Sequence, residues 1–404
     1  MHIGFLTTEY INKYHPHGGI ANYIHKTAGE LTKRGHRVSI FVLSDKDDHR
    51  RDEYAEIYES KNSWVRVFGR VPYIGFLSVP ISRIISSYRL SKLVWKVHKK
   101  YPIDILQTSN YLAPGFAMRK NNKIPLVCRS SGYTPLFRSA NGNSVSGLGE
   151  YLAEWLDLRL ILDADASFAP SQFTASIYQR FEAHTLRVIH SPVEDLSKII
   201  QDESFYSNHL KGKKYLLYFS ALNRLKGIDL VIPILPNLLK NNPELHFVFI
   251  GHDVGLPGIP EVYPYIRELC SVYKERLHYS PPLEKSQLYP VIANAAAVVM
   301  PSRVDNYPNA CLDALVLGTP VIASDNSSLE EMIVEGVTGF LIENSVSDSL
   351  EKVIYRVLNQ TIEEKRIMKK NILLYVESLR SEDPVSQLLV LYEQTINEFQ
   401  ANKG

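Results

Sequence analysis

Two carboxylates, Asp305 and Asp313, stand eight residues apart in VDNYPNACLDALVLGTPV, on either side of a helix start. The preceding AAAVVMPS reads as a strand, and residues 303 to 307 read as a loop. Pro308 suits the first helical position, where its missing N–H is no loss. Gly318 with Thr319-Pro320 then stops the helix. Two residues eight apart on one helix are separated by about 12 Å along its axis. Glycosidase acid pairs stand about 5 to 9.5 Å apart, so this pair does not suit hydrolysis. It suits two separate diols, one on a sugar ring and one on a ribose. The backbone from Asn306, Tyr307, Pro308 and Asn309 to Cys311 is expected to turn its amides towards the same ligand.

Other loops offer complementary chemistry. In YHPHGGIANYIHKTAGELTKRGHRV, Gly18-Gly19 opens a helix with Ile20, Tyr23, Ile24, Ala28 and Leu31 on one face, ending at Gly35. Glycines there permit close backbone approach, and the helix N-terminus favours an anion or a sugar hydroxyl. YFSALNRLKGIDL sets Arg224 and Lys226 between a buried strand and a helical pattern, where a cation can neutralise a diphosphate. Taken alone, either feature is more often ordinary surface. FVFIGHDVGLPG ends a strand in Gly251-His252-Asp253, room for a flat ring to come close. RLHYSPPLEKSQLY ends one in Ser280-Pro281-Pro282, before Leu283, a rigid loop for such a ring to pack on. No GxGxxG is present, so a nicotinamide cofactor gains no support.

The elements that must position these loops alternate. HIGFLTT, RVSIFVL, DILQTSN, PLVCRSS and ASFAPS read as strands of a first half. KYLLYFSAL, HFVFIG, RLHYSPP, AAVVMPS, PVIASD and GFLIE read as strands of a second. Apolar runs without alternation imply strands covered on both faces, and intervening helices imply parallel sheets. The expected class is α/β, with two doubly wound Rossmann-like domains facing across a cleft. The first spans 1–195, the second 196–381, and a last helix at about 382–404 returns to the first. The polar segment EDLSKIIQDESFYSNHLKGKK separates the halves.

Composition narrows the class. The chain has 404 residues, 45% hydrophobic and 22% charged, enough for two cores. Cys128, Cys270 and Cys311 lack metal-ligand spacing and read as buried thiols of a reducing compartment. MHIGFLTTEY has neither a basic segment nor a long apolar one, and no run reaches membrane-span length. A soluble, cytoplasmic chain is expected. The net charge of +2 hides a basic stretch, Lys61 to Lys100, with nine Lys or Arg and no acid. Its second half sets Ile84, Ile85, Tyr88, Leu93 and Val94 among Arg83, Arg89, Lys92, Lys96, Lys99 and Lys100. Such a helix either lies on an anionic membrane surface or packs on the core with a solvated basic face. The excess is local, so nucleic acid is a poorer fit. DAD at Asp163 to Asp165 and DKD at Asp45 to Asp47 match a metal pattern by letter only, and no metal site is expected.

The register PSRVDNYPNACLDALVLGTPV resembles the E-x7-E motif of family 4 (group 1) retaining glycosyltransferases of GT-B architecture, with VTGFLIE matching their closing strand. The similarity spans the whole chain and is most specific from about Tyr215 to Glu343. The resemblance implies that Asp305 and the following amides hold a donor sugar, while Asp313 binds the ribose. It implies Gly18-Gly19 beside the donor phosphate or acceptor, Lys226 on the diphosphate, and Gly251, His252, Asp253, Pro281 and Leu283 around the base. It also implies metal independence, no cofactor and a glycan acceptor, and the basic stretch from Lys61 to Lys100 adds a lipid-linked or anionic acceptor at the inner membrane face as an expectation. This chain departs at several places. Ala221 stands where the family has a phosphate-binding arginine, and Arg224 is the nearest replacement. Both motif glutamates are aspartates, and Asn306-Tyr307-Pro308-Asn309 replaces a glycine-rich loop. CRSSGYT lacks the usual sugar-contacting histidine and puts Arg129, Ser130 and Ser131 on the acceptor side. A nucleotide-sugar epimerase and a noncatalytic subunit of the same fold are the competing readings.

Overall fold

The computed structural model describes residues 1–11, 18–61, 77–143, 147–181, 186–196, 199–343 and 346–402. Positions 62–76 of the basic stretch and 197–198 of the separating segment lie outside them. The chain divides into two units: Met1–Ser139 with Asn143–Pro192 and Asp383–Gly404, and Val193–Glu382 with Ala140–Gly142.

The first unit carries β1 (His2–Thr7), α1 (Gly19–Lys33), β2 (Arg37–Ser44), β3 (Asp48–Arg51), β4 (Glu56–Lys61) and α2 (Ser78–Lys100). These are followed by β5 (Ile105–Ser109), β6 (Leu126–Arg129), α3 (Leu148–Asp163), β7 (Ala166–Ala169) and β8 (Arg187–Val188). Its sheet order is β3-β4-β2-β1-β5-β6-β7-β8, parallel except between β3 and β4. The order reverses between β1 and β5, and in such sheets ligands bind beyond the strand C-termini at that reversal. β3, β4 and β8 are additions to the strands read from sequence. DHRR and EIYESK are polar and alternate in burial, as an edge hairpin does, so no apolar run announces them.

The second unit carries β9 (Lys214–Phe219), α4 (Ile228–Val231), β10 (Leu245–Ile250), α5 (Val262–Leu269), β11 (Leu277–Ser280) and α6 (Lys285–Ala293). Next come β12 (Ala297–Met300), α7 (Asn309–Val316), β13 (Val321–Ser324) and β14 (Gly339–Ile342). All its pairings are parallel, in the order β11-β10-β9-β12-β13-β14, reversing between β9 and β12. Tyr215, Leu216, Leu217, Phe247, Phe249 and Val298 are buried on both faces of the sheet, which explains their unbroken apolar runs. The last helix, α8 (Pro384–Ala401), packs in the first unit, where the Tyr392 hydroxyl donates to the Gln107 carboxamide oxygen.

α2 forms where expected but buries a different face. Ser86, Ser87, Leu90, Ser91, Val94 and Val97 face inward, while Ile84 and Tyr88 are 46% and 56% exposed. Serines fit where the helix approaches closely, and Ser87 Oγ accepts from Ala117 N at 2.8 Å. Arg83 also turns in, donating to Asp157 Oδ1 at 2.7 Å. Burial pushes the Asp157 carboxyl up to about 6 despite that partner. The cysteines are free and buried, and no helix among the described residues is long and apolar enough to cross a membrane.

On β10 and β11, His246 Nδ1 and His278 Nε2 are 3.1 Å apart. Burial, then Lys213, His246 and His209, lower His278 to about 4, and burial with Lys213 and Arg276 lowers His246. The unfolded chain takes up these protons near the usual value, about 6.5, before the folded one does. Stability is therefore complete above about 6.5 and falls as pH drops towards 4. Urea unfolding at stepped pH should show this decline, and His278→Gln should flatten it.

Candidate active site

The site residues of the second unit gather where its strand order reverses. After β9 the chain folds into a tight loop in which the Tyr218 hydroxyl bonds Ala221 O at 3.0 Å and Lys226 O at 3.1 Å. Asn223 Oδ1 accepts from Lys226 N at 3.0 Å. Gly227 then takes φ +73, and a Cβ there would lie 1.9 Å from Pro301 O. Only glycine fits both the conformation and the contact. That contact presses the β9 loop against the end of β12 and brings Lys226 Nζ to 2.6 Å from Asp305 Oδ2. Asp305 is only 7% exposed, so the pair is largely out of water.

Arg303 fastens the same two loops. Its N donates to Leu225 O at 3.0 Å, and its Nη1 to Arg224 O at 2.7 Å. Nη1 and Nη2 grip Asp229 at 2.7 and 2.8 Å, a bidentate pair. Arg303 and Asp229 escaped the sequence reading because neither falls in a motif position. Arg224 itself is exposed, with its carbonyl held by Arg303 and its side chain beside Gly142.

The segment after Asp305 differs from expectation in two respects. Its amides are mostly engaged within the protein: Asn306 N bonds Asp305 Oδ1 at 3.1 Å, Tyr307 N bonds Ser328 Oγ at 2.6 Å, and Cys311 N bonds Pro308 O at 3.0 Å. Ser328 Oγ in turn donates to Asp305 O at 2.8 Å. Tyr307, expected against the donor, is a core residue, 3% exposed and at φ +56, with burial raising its hydroxyl. A bulky residue at positive φ is strained and persists because its surroundings hold it. Pro308 caps α7 and Asn309 begins it. Asp313, one turn in, accepts from the Tyr289 hydroxyl at 3.2 Å. Tyr289, wholly buried on α6, was a further residue the sequence did not flag.

The loops expected around a base follow β10 and β11, at the same end of the parallel sheet as the loops after β9 and β12. Gly251 N bonds Ser280 O, and a Cβ on Gly251 would lie 2.1 Å from Ser220 O. His252 O accepts from Leu222 N at 2.8 Å. The Asp253 side chain is structural, since its two oxygens accept from Val262 N and Tyr263 N at 2.9 and 2.8 Å, capping α5. Pro281 O accepts from Ser280 Oγ, and Leu283 packs partly buried against the core.

In the first unit, Gly18 caps α1 in extended backbone, and the space beside it is filled by Glu9. Glu9 Oε1 accepts from Ala21 N at 3.3 Å and lies 2.3 Å from where a Gly18 Cβ would sit. The cradle expected of Gly18-Gly19 thus holds this chain's own carboxylate, drawn by the helix N-terminus. Arg129 and Ser131 stand at the end of β6, bonded to each other at 3.3 Å, with Ser131 Oγ accepting from Ser109 Oγ at 2.8 Å. Three of the letter-matched aspartates have other partners: Asp163 pairs with Arg119 and Arg159, Asp165 holds Leu126 N, and Asp47 holds Lys61 N.

Two Rossmann-like units, the second with an acid–lysine pair at its strand reversal, have the GT-B architecture. The model of "Glycosyl transferases group 1" matches residues 200–373, and that of "Glycosyltransferase Family 4" matches 17–195. The chain belongs to this group 1, family 4 glycosyltransferase family. It is 23% identical to a D-inositol 3-phosphate glycosyltransferase of Corynebacterium glutamicum, over 81% of this chain and 80% of that one. It is 24% identical to an alpha-monoglucosyldiacylglycerol synthase of Streptococcus pneumoniae, over 84% and 75%. Its fold is similar to that of HepE from Anabaena, solved in complex with UDP, with a TM-score of 0.68, 15% identity and coverage of 98% and 100%.

Gly227→Ala should lower stability by about 2 kcal/mol or more, combining strain at positive φ with the Pro301 clash. Gly212→Ala, at φ +79 with nothing within 4 Å, should cost only the strain, about 1 kcal/mol. Urea unfolding of the two variants separates the contributions.

Proposed function

We propose that this chain moves a sugar from a nucleotide diphosphate sugar, UDP favoured over GDP, to a glycan, glycolipid or small-molecule acceptor in polysaccharide or glycoconjugate synthesis. The anomeric configuration is retained, and no metal takes part. The observation that carries this is the Lys226–Asp305 pair at 2.6 Å, poised at the strand reversal. A donor diphosphate competes for the Lys226 ammonium, and the Asp305 carboxylate it leaves turns to accept from sugar hydroxyls. Negative charge grows on the β-phosphate as the glycosidic bond breaks, and Lys226, aided by Arg224, meets it. Contacts that strengthen as that charge develops accelerate the step rather than merely bind. Asp313, set by Tyr289, takes the ribose hydroxyls. The departing phosphate accepts the acceptor's proton. The relatives' names, an inositol phosphate glycosyltransferase and a glycolipid synthase, are in keeping with a phosphorylated or lipid-linked acceptor.

The test is thermal stabilisation by UDP, GDP, ADP and their sugars. A ligand at about a hundred times its Kd adds roughly 2.7 kcal/mol. One nucleotide should raise the melting temperature of the wild type and not of Asp313→Ala, and product analysis should find a transferred sugar. A free, altered sugar nucleotide formed without acceptor would instead make the chain an epimerase. No stabilisation by any nucleotide would make it a noncatalytic subunit.

The chain acts at the cytoplasmic face of a membrane in this reading. α2 turns Val79, Ile84 and Tyr88 outward beside Lys92, whose Nζ lies 4.7 Å from the Tyr88 ring. Flotation should give salt-sensitive binding to anionic vesicles and none to neutral ones, weakened by Ile84→Glu. Equal recovery with both would remove the membrane from the proposal.

A further inference from the structure

Arg129 is 6% exposed and has no carboxylate partner among the described residues. Its guanidinium lies 4.0 Å from the centre of the Tyr23 ring. Nη1 and Nη2 reach the Ser131 and Ser191 hydroxyls, both at a long 3.3 Å, and Nε has no partner. Burial alone pulls its pKa down. Two further largely covered arginines of this unit have carboxylate partners: Arg83 has Asp157 at 2.7 Å, and Arg138 pairs with Glu154. A buried cation lacking a counter-charge is costly, and an apolar side chain of like volume serves stability better. Its retention therefore points to a counter-charge that arrives from outside.

The surroundings specify what arrives. Arg129, Ser131, Ser109 and Thr108 form the polar side of a cavity of about 10 Å³ whose remaining wall is mostly apolar, Phe5, Leu6, Ile20 and Ile24 with Tyr23 and Gln107. That is room for about one water-sized group, and hence for a single oxygen. Ser109 Oγ accepts from Tyr111 N and donates to Ser131 Oγ. Ser131 Oγ accepts from Arg129 as well, which leaves its own hydrogen to donate. A guanidinium Nε–H and a hydroxyl hydrogen, with no acidic group beside them among the described residues, recognise an anion. The cavity lies at the ends of β1, β5 and β6, where the order of the first sheet reverses.

We propose that Arg129 and Ser131 bind an anionic group, a phosphate monoester or carboxylate carried by the acceptor, one oxygen of which enters the cavity. This rests on the acceptor-side reading above and names the chemistry of that acceptor. Arg129 is a specificity-determining residue: it selects the substrate and takes no part in the displacement.

The test measures affinity for glucose 6-phosphate, glucuronate and glucose, at matched ionic strength, by calorimetry. Wild type, Arg129→Met, Arg129→Lys and Lys226→Ala are compared. Wild type should bind one of the two anions at least tenfold more tightly than glucose, and which one it prefers distinguishes phosphate from carboxylate. Arg129→Met should abolish that preference, Arg129→Lys should retain part of it, and Lys226→Ala should keep it. Ligand-free Arg129→Met should melt no lower than wild type, since an uncompensated charge is gone. No tenfold preference, a preference that survives Arg129→Met, or one lost in Lys226→Ala overturns the proposal. So does a lower melting temperature for ligand-free Arg129→Met, which would make Arg129 structural. Stabilisation by UDP, read on the same proteins, tests the donor reading separately: either can fail while the other stands.

Discussion

The ion pair between Lys226 and Asp305 depends on residues 79 positions apart in the chain, and most of the second unit serves to bring them together. β9 and β12 must be neighbours, parallel and in register, for their following loops to meet. Gly227 must lie against Pro301, and Arg303 must hold the Arg224 and Leu225 carbonyls. A pair so far out of water contributes little net stability, because desolvation offsets most of the attraction. Its geometry is better understood as a charge arrangement waiting for a third member.

The same economy recurs at the helix ends. Glu9 answers the N-terminus of α1, and Asp253 caps α5. Asp383, at φ +44, caps α8 and pairs with Arg34. Unmet amides at a helix start attract the nearest carboxylate. Two positions that read as ligand-binding by analogy are therefore first of all self-satisfied. A phosphate at the start of α1 has to displace Glu9, whereas one at Lys226 only has to outcompete Asp305.

Arg129 is the counter-example that gives this pattern meaning. The chain supplies partners for Arg83, Arg119, Arg159 and Arg303 from its own acids. Among the described residues, the deeply buried Arg129 guanidinium has only an aromatic face and two distant hydroxyls. Carboxylates are plentiful in this protein, 43 acidic residues against 45 basic ones, so the omission is local.

By itself the sequence determined the class of fold, because strands covered on both faces write unbroken apolar runs and the helices between them force parallel pairing. It also determined the acid spacing and the Pro308 and Gly318 limits of α7, which depend on local backbone rules. Tertiary structure alone decided the rest. The edge hairpin β3–β4 is too polar to betray itself, and α2 buries serines because close approach selects small side chains over apolar ones. Tyr307 lies in the core, although its neighbours read as a ligand loop. Tyr289, Arg303 and Ser328 in the second unit, and Glu9 at the start of α1 in the first, take their places from positions that no motif marks. Hydrogen-bond partners are chosen by proximity in space, and spacing along the chain fixes that proximity only within a helix turn or a single loop.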